Sequence, residues 1–431
     1  MANAYLTTEI QVAYWKESAP CVYPVDIAAG CTPIEIVSAN IDGAVTELIV
    51  DNTAEVRAGA VGNRLRIHGR RNGTFEIVCK LHGLGLTTAD GDTAPLTYLA
   101  ELMGDCWGGV HLSNSTTITG GTSTIPVLDS VTNIVPGCMI TIEDKTTPDK
   151  DYDGFPVCRR VLAVNAGTKA VTLSETIPFA VADGDAVHAT ATIYHSVHSL
   201  RDITVNGTYG WYISQGDDVS MQTRLDGCVH NGAIEGFSLG GLMTFKLSGM
   251  CGNYAKGEEE GLTYIADLGD PAGSPALTTG LDMTLSIQEV GTTAENLVEA
   301  SAITFDTGVA RSKRESQTPK NYRFHGLAGY SMSPGQTAAT FTFDGYHGDF
   351  VAGLAAGKRY RCTMTQAGVG AGAGSLVCIH MPNAHITATP GKTAAGDNWG
   401  LTVAFEASES SDTTGGSNVD LQKSRFYIAL A

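Results

Sequence analysis

Gly236-Phe237-Ser238-Leu239 leads into Thr244-Phe245-Lys246-Leu247-Ser248-Gly249-Met250-Cys251-Gly252, and Gly329-Tyr330-Ser331-Met332 leads into Thr340-Phe341-Thr342-Phe343-Asp344-Gly345-Tyr346-His347-Gly348. Both stretches read G-[FY]-S-[LM], a glycine-containing turn, then T-F-x-[LF]-x-G-x-x-G. The two apolar residues of T-F-x-[LF] are two positions apart, so they share one face of a strand. Order, spacing and strand phase agree, and the chain reads as a duplicated β unit. A weaker echo is Cys79-Lys80-Leu81-His82-Gly83-Leu84-Gly85.

Outward from the repeat, residues 35–84 alternate apolar and polar at period two. Arg64–His68 and Thr74–Leu81 flank Arg70-Arg71-Asn72-Gly73, and the Asn-Gly pair predicts a hairpin turn there. One helix follows. Asp92 or Thr93 can cap it, Pro95 suits its first turn, and Leu96, Leu99, Leu102, Met103 and Cys106 share a face at helical spacing. Residues 115–194 read as a small barrel or sandwich, with strands at 138–142, 160–164, 170–173 and 186–194. The expected architecture is mainly β: a first β domain (1–114 and 195–256), an inserted small β module (115–194), a linker rich in Gly, Glu, Asp and Pro (257–280), and a second β domain (281–431). A short helix at Asp349–Ala356, stopped by Gly357, completes the second domain.

The formal net charge is -18. Such a surface repels phosphate backbones, which argues against a direct grip on nucleic acid and suits a wall past which DNA slides. Met1-Ala2-Asn3-Ala4-Tyr5 has no basic n-region and no apolar h-region, so no secretory signal is expected. No apolar run is long enough for a membrane span. The ten cysteines include no CxxC pair, and several sit in strand-like runs. They read as reduced, buried thiols made in a cytoplasm.

Motifs that could carry chemistry fail on context. Gly236-Phe237-Ser238-Leu239-Gly240 spells a nucleophile elbow, but a turn and a strand follow it where a helix is required. Asp149–Gly154 begins like a calcium loop, yet Arg160 stands where the bidentate acid belongs. Pro390-Gly391-Lys392-Thr393 ends like a phosphate loop, but Ile386 replaces its first glycine. His195 and His198 would point to opposite faces of a strand, and His380 and His385 stand apart on either side of a turn. No catalytic residue, metal or cofactor is expected, and the chain reads as a non-enzyme. One charge run stands out: Arg311, Lys313, Arg314, Lys320 and Arg323 against Glu315 alone. It reads as a solvated loop or as a cationic arm that docks on an acidic neighbouring subunit, with Glu258-Glu259-Glu260 of the next ring as its expected partner.

The order of segments resembles that of two-domain tail-tube proteins of long-tailed bacteriophages. The features that carry it are the hairpin ending in Lys80–Gly85, the leucine-rich helix, Val219–Cys228, Gly236–Leu239 with the strand into Ser248-Gly249, and the closing strands Leu401–Phe405 and Phe426–Leu430. The resemblance covers roughly 35–110 and 200–431; the module at 115–194 departs from it and is expected on the outer surface, replaceable by a short linker. It implies a virion protein, made in the host cytoplasm, whose curved sheets join edge to edge into a trimeric or hexameric ring. Rings stack into a tube that conducts DNA without binding it, in company with a tape measure protein and tail terminator or baseplate proteins. Competing expectations are another tail or neck part, such as a distal tail or adaptor protein, and a carbohydrate-binding protein of a phage fibre with exposed Trp and Tyr in a groove. A hydrolase using Ser238 is a further one.

Overall fold

Strand β1 (Ile10–Lys16) buries Val12 and Tyr14 on one face and Ala13 and Trp15 on the other, so it feeds two apolar clusters at once. It opens a computed structural model that describes residues 10–18, 30–45, 48–50, 66–68, 71–85, 91–144, 156–196, 209–215, 222–237, 241–257, 262, 278–293, 296–315, 327–345, 347–368, 376–395 and 398–431. The fold is mainly β, as expected. β2 (Thr32–Ile34) pairs with β1. β3 (Ile36–Val45) continues as β4 (Leu48–Val50), and the return strands are β5 (Arg66–His68) and β6 (Arg71–Lys80). The predicted turn at Asn72-Gly73 is not there. Ala44 pairs with Asn72 and Gly43 with Gly73 inside the ladder, and β4 pairs with β5, so the two arms stay paired out to Val50 and Arg66. The twelve ladder pairs on the long arms outweigh the local turn preference of one dipeptide.

Helix α1 (Tyr98–Trp107) starts later than the sequence suggests. Thr97 is its cap, its Oγ1 accepting from the Ala100 N–H at 3.3 Å, and Leu96 is left outside the helix and 54% exposed. β7 (Gly108–Leu112) follows directly. After the inserted module come β14 (Ala191–His195), β15 (Tyr209–Gln215), β16 (Thr223–Glu235), β17 (Thr244–Cys251) and β18 (Asn253–Lys256). The first sheet runs β2-β1-β15-β16-β17-β6-β3, with β18 also on β16.

The second half contains β19 (Thr278–Glu289), β20 (Ala302–Asp306), β21 (Val309–Glu315), β22 (Leu327–Pro334) and β23 (Ala338–Phe343). Then come α2 (Gly348–Ala356), β24 (Arg359–Gly368), β25 (Leu376–Ile386), β26 (Gly391–Ala395), β27 (Asn398–Ala407), α3 (Val419–Gln422) and β28 (Tyr427–Leu430). Gly357 ends α2 in the left-handed region at φ 64, where glycine alone is unstrained.

The two sheets have one topology. In chain order each half supplies a strand (β1, β19), a broken hairpin whose base lies in the sheet (β3 and β6; β20 and β23), a helix (α1, α2), three strands (β15, β16, β17; β24, β25, β27) and a last strand on the third sheet strand of that helix-following set's middle member (β18 on β16; β28 on β25). The spatial orders are β1-β15-β16-β17-β6-β3 and β19-β24-β25-β27-β23-β20, the same permutation. Even the covering of the first strand recurs: β2 pairs with β1, and Leu297 bridges Ser286 of β19.

The duplication is therefore present, but its sequence register differs from the one predicted. The repeat matched β17 with β23, which hold different places in the order. The strand equivalent to β23 is β6, where Thr74-Phe75-Glu76-Ile77 buries Phe75 and Ile77 as Thr340-Phe341-Thr342-Phe343 buries Phe341 and Phe343.

The module at 115–194 contains a closed barrel of β8 (Thr116–Gly121), β9 (Pro126–Leu128), β10 (Met139–Glu143), β11 (Val157–Asn165), β12 (Ala170–Leu173) and β13 (Ala186–His188). The strand predicted over 186–194 breaks at Ala189-Thr190: β13 closes the barrel, whereas β14 leaves it. β14 pairs with β7 on one side and with β28 on the other. β7 and β14 thus belong to the second sheet, whereas the sequence placed β7 in the first domain and β14, but for His195, in the inserted module. Leu376, Cys378, Tyr427 and Ala429 of the second sheet pack with the barrel interior in one apolar cluster. The expected linker at 257–280 lies largely outside the described residues.

Candidate functional site

The candidate site is the contact between the two copies, where apolar and charged side chains of both halves meet in the interior. Helix α1 lies between the sheets and buries nine of its ten residues. Gly232 of β16 lets it approach: a Cβ there would meet Trp107 at 3.1 Å and Cys106 at 3.2 Å. Trp107 touches Phe245 of the first sheet (ring centroids 5.5 Å) and Phe426 of the second half (5.8 Å), and Phe305 stacks edge-on to Phe426 (5.7 Å). One hydrophobic core therefore runs from Val12 to Leu430 through both sheets.

A polar cluster crosses this core. Arg311 on β21 donates from Nη1 to Asp105 Oδ2 (3.1 Å) and to the Asp105 carbonyl (3.2 Å) in the last turn of α1. Its backbone N–H donates to Asn231 Oδ1 (2.5 Å), and Asn231 Nδ2 donates to its carbonyl (3.0 Å). Trp211 Nε1 donates to His230 Nε2 (2.8 Å), which places the His230 proton on Nδ1, 3.6 Å from Asp105 Oδ2. Burial holds His230 below the usual imidazole range, against the pull of Asp105. Asp105 stands at the negative end of the helix dipole, so alone it is unfavourable there; the guanidinium offsets both.

This corrects the reading of the cationic segment. Arg311 is 6% exposed and its partner is Asp105 of the same chain, so it is not available to a neighbouring ring. The segment from 311 to 315 is a strand and not a loop, with Lys313 in register with Tyr330 and Arg314 with Gly329. Lys320 and Arg323 lie outside the described residues, as do Glu258-Glu259-Glu260 and Ser238. Sequence reasoning missed Asp105, His230 and Asn231; a lone Asp among the apolar positions of a helix was the one available signal.

A second buried cluster fixes the barrel. Arg160, fully buried on β11, donates to Asp412 (2.8 Å), Ser410 (3.0 Å) and the Gln422 carbonyl (3.1 Å), and lies 4.9 Å from the Tyr427 ring centre. Arg361 of β24 reaches Asp412 at 3.4 Å. The residue that breaks the calcium-loop pattern is thus a strut between barrel and sheet.

Two other sequence candidates are buried side chains. His195 is buried against Phe426, and His380 accepts or donates at 2.8 Å with Thr363. Gly391–Ala395 is a strand. The nine described cysteines are free thiols, and among the described residues no group of three His, Cys, Asp or Glu could hold a metal. No described helix is long and apolar enough to cross a membrane. Trp15, Trp107 and Trp211 are buried, which removes them as a platform for sugars. No family model matches the chain, and no curated protein matches it.

Proposed function

We propose that the protein is a virion structural subunit that assembles into stacked rings of a phage tail tube, a conduit for DNA. The observation that carries this reading is the single topology repeated in the two sheets. A chain with two like domains packed head to tail carries a heterologous interface within itself, and repetition of that interface between chains closes a ring when the rotation per domain divides the circle. Three copies would then present six like domains. The sheets also end on unpaired strands among the described residues, β3 in one and β20 in the other, and such edges call for a partner. A net charge of -18 suits a lumen that DNA traverses without adhering. Negative-stain electron microscopy of purified protein tests the reading: rings or tubes are expected, and a monomer at every concentration would overturn it.

A further inference from the structure

Alternation along β25 divides its side chains between two interiors. Val377, Ile379 and Met381 enter the core that both sheets share, whereas Leu376 and Cys378 enter the cluster around the barrel. The barrel strand β11 meets that second face. Its Arg160 reaches out to Asp412 and lies over the Tyr427 ring, and Tyr427 is in register with His380. Cys158 stands two residues before Arg160 on the same face of β11, and Cys378 two residues before His380 on the same face of β25. The two thiols face each other across the seam, within hydrogen-bonding reach. Thr141 Oγ1 donates to Cys158 Sγ at 3.8 Å, and Thr365 Oγ1 to Cys378 Sγ at 3.5 Å, so each thiol is held from its own side. Both residues are at most 1% exposed.

We infer that Cys158 and Cys378 are a modification site, a dithiol that a small peroxide converts into a covalent link between the barrel and the second sheet. The sulfur of one thiol attacks a peroxide oxygen; the O–O bond breaks, that sulfur becomes a sulfenic acid, and its proton leaves in a first water. The second sulfur then attacks the sulfenic sulfur; the S–S bond forms, the S–O bond breaks, and hydroxide leaves with the second thiol proton as another water. Two thiols lose one electron pair, and the peroxide gains it. Burial, and next the neighbouring Cys378, hold the Cys158 thiol well above its usual range, so thiolate is scarce while the seam is closed and the reaction waits on its opening. In a reducing compartment the pair stays as thiols. Once outside one, the link makes the seat of the barrel permanent, and it ties positions far apart in the chain, which constrains the unfolded state.

The test uses the full chain, reduced and then held in hydrogen peroxide below its melting temperature. Intact mass and peptide mapping without reductant locate the products. The expected product has lost two hydrogens and gives a cross-linked peptide carrying Cys158 and Cys378, which a reducing agent separates. Its melting temperature should exceed that of the reduced protein by a few degrees. Cys158→Ala is the control, and its melting temperature should not gain from peroxide; Cys378→Ala serves equally if the first variant fails to fold. The mapping of wild type decides the matter without either. Oxygen adducts on the separate cysteines, or a link between other thiols in place of this pair, would overturn the inference. So would both thiols remaining reduced after the less buried Cys31 has fully reacted, a link that forms only in denaturant, or an equal gain in melting temperature by the control.

Discussion

Arg311 Nη1 lies 3.1 Å from Asp105 Oδ2, which pins the hairpin of the second half to the last turn of the helix in the first. Both side chains are at most 3% exposed. Removing one partner leaves a buried charge uncompensated, a loss of about 3–5 kcal/mol. Arg311→Ala should therefore lower stability by that order in chemical denaturation. The double variant Asp105→Leu with Arg311→Met should be less destabilised than the single one, because no charge remains unpaired. Equal losses in the two would show that the pair is not what holds the hairpin.

Gly83 brings the first half against the second. A Cβ there would sit 2.0 Å from the Ala431 carbonyl oxygen and 2.6 Å from the Leu376 nitrogen, both backbone. Gly83→Ala should cost about 1–3 kcal/mol by overpacking. Gly391→Ala, where nothing lies within 4 Å, is the control and should be near neutral in the same melting experiment.

The barrel should not be removable at no cost, contrary to the expectation drawn from sequence. Its excision would expose Leu376, Cys378, Tyr427 and Ala429 and strip Asp412 of Arg160. Replacing 115–189 with a Gly/Ser linker should lower the melting temperature of the second domain and raise binding of a hydrophobic dye. An unchanged melting curve would show the barrel to be an independent appendage.

Acid should destabilise the protein well above the carboxylate range. Burial depresses His82, His230 and His380 in the folded chain, and His195 falls to about 4, through burial and then Arg425. The unfolded chain, titrating near 6.5, then binds more protons, so stability is full above that pH and is lost as pH falls toward 4. Asp412, which burial raises but Arg160, Ser410 and Arg361 together bring below the usual carboxylate range, acts in the same sense at lower pH; Asp226, raised by burial, opposes it there. The melting temperature should drop steadily from pH 7 to 4.5, and a flat profile would contradict the burial of these rings.

Much of the fold was legible because period-two runs dominate it: β6, β12, β17 and β27 lie close to where alternation put them, and Gly357 ends α2 as expected. The errors have one physical source, which is long-range pairing. Asn72-Gly73 has turn chemistry, yet its ladder partners decide its conformation. β14 looks continuous with β13, but its partner β28 lies more than 200 residues away in the chain, between Ala191 and Leu430. The repeat was real but misregistered, because T-F-x-[LF] fits any inward-facing strand of such a sheet. Arg311 looked like a surface cation since its counter-charge, Asp105, belongs to a different element 206 positions earlier.

The central claim is that two like domains per chain continue into a closed assembly of like domains. Cryo-electron microscopy of the assembled protein, viewed down the ring axis, tests it most directly. The account predicts class averages with six similar lobes per ring, three chains contributing two each, and three barrels marking the true three-fold. A ring with one lobe per chain, or an assembly in which the two domains of a chain contact unlike neighbours, would contradict it.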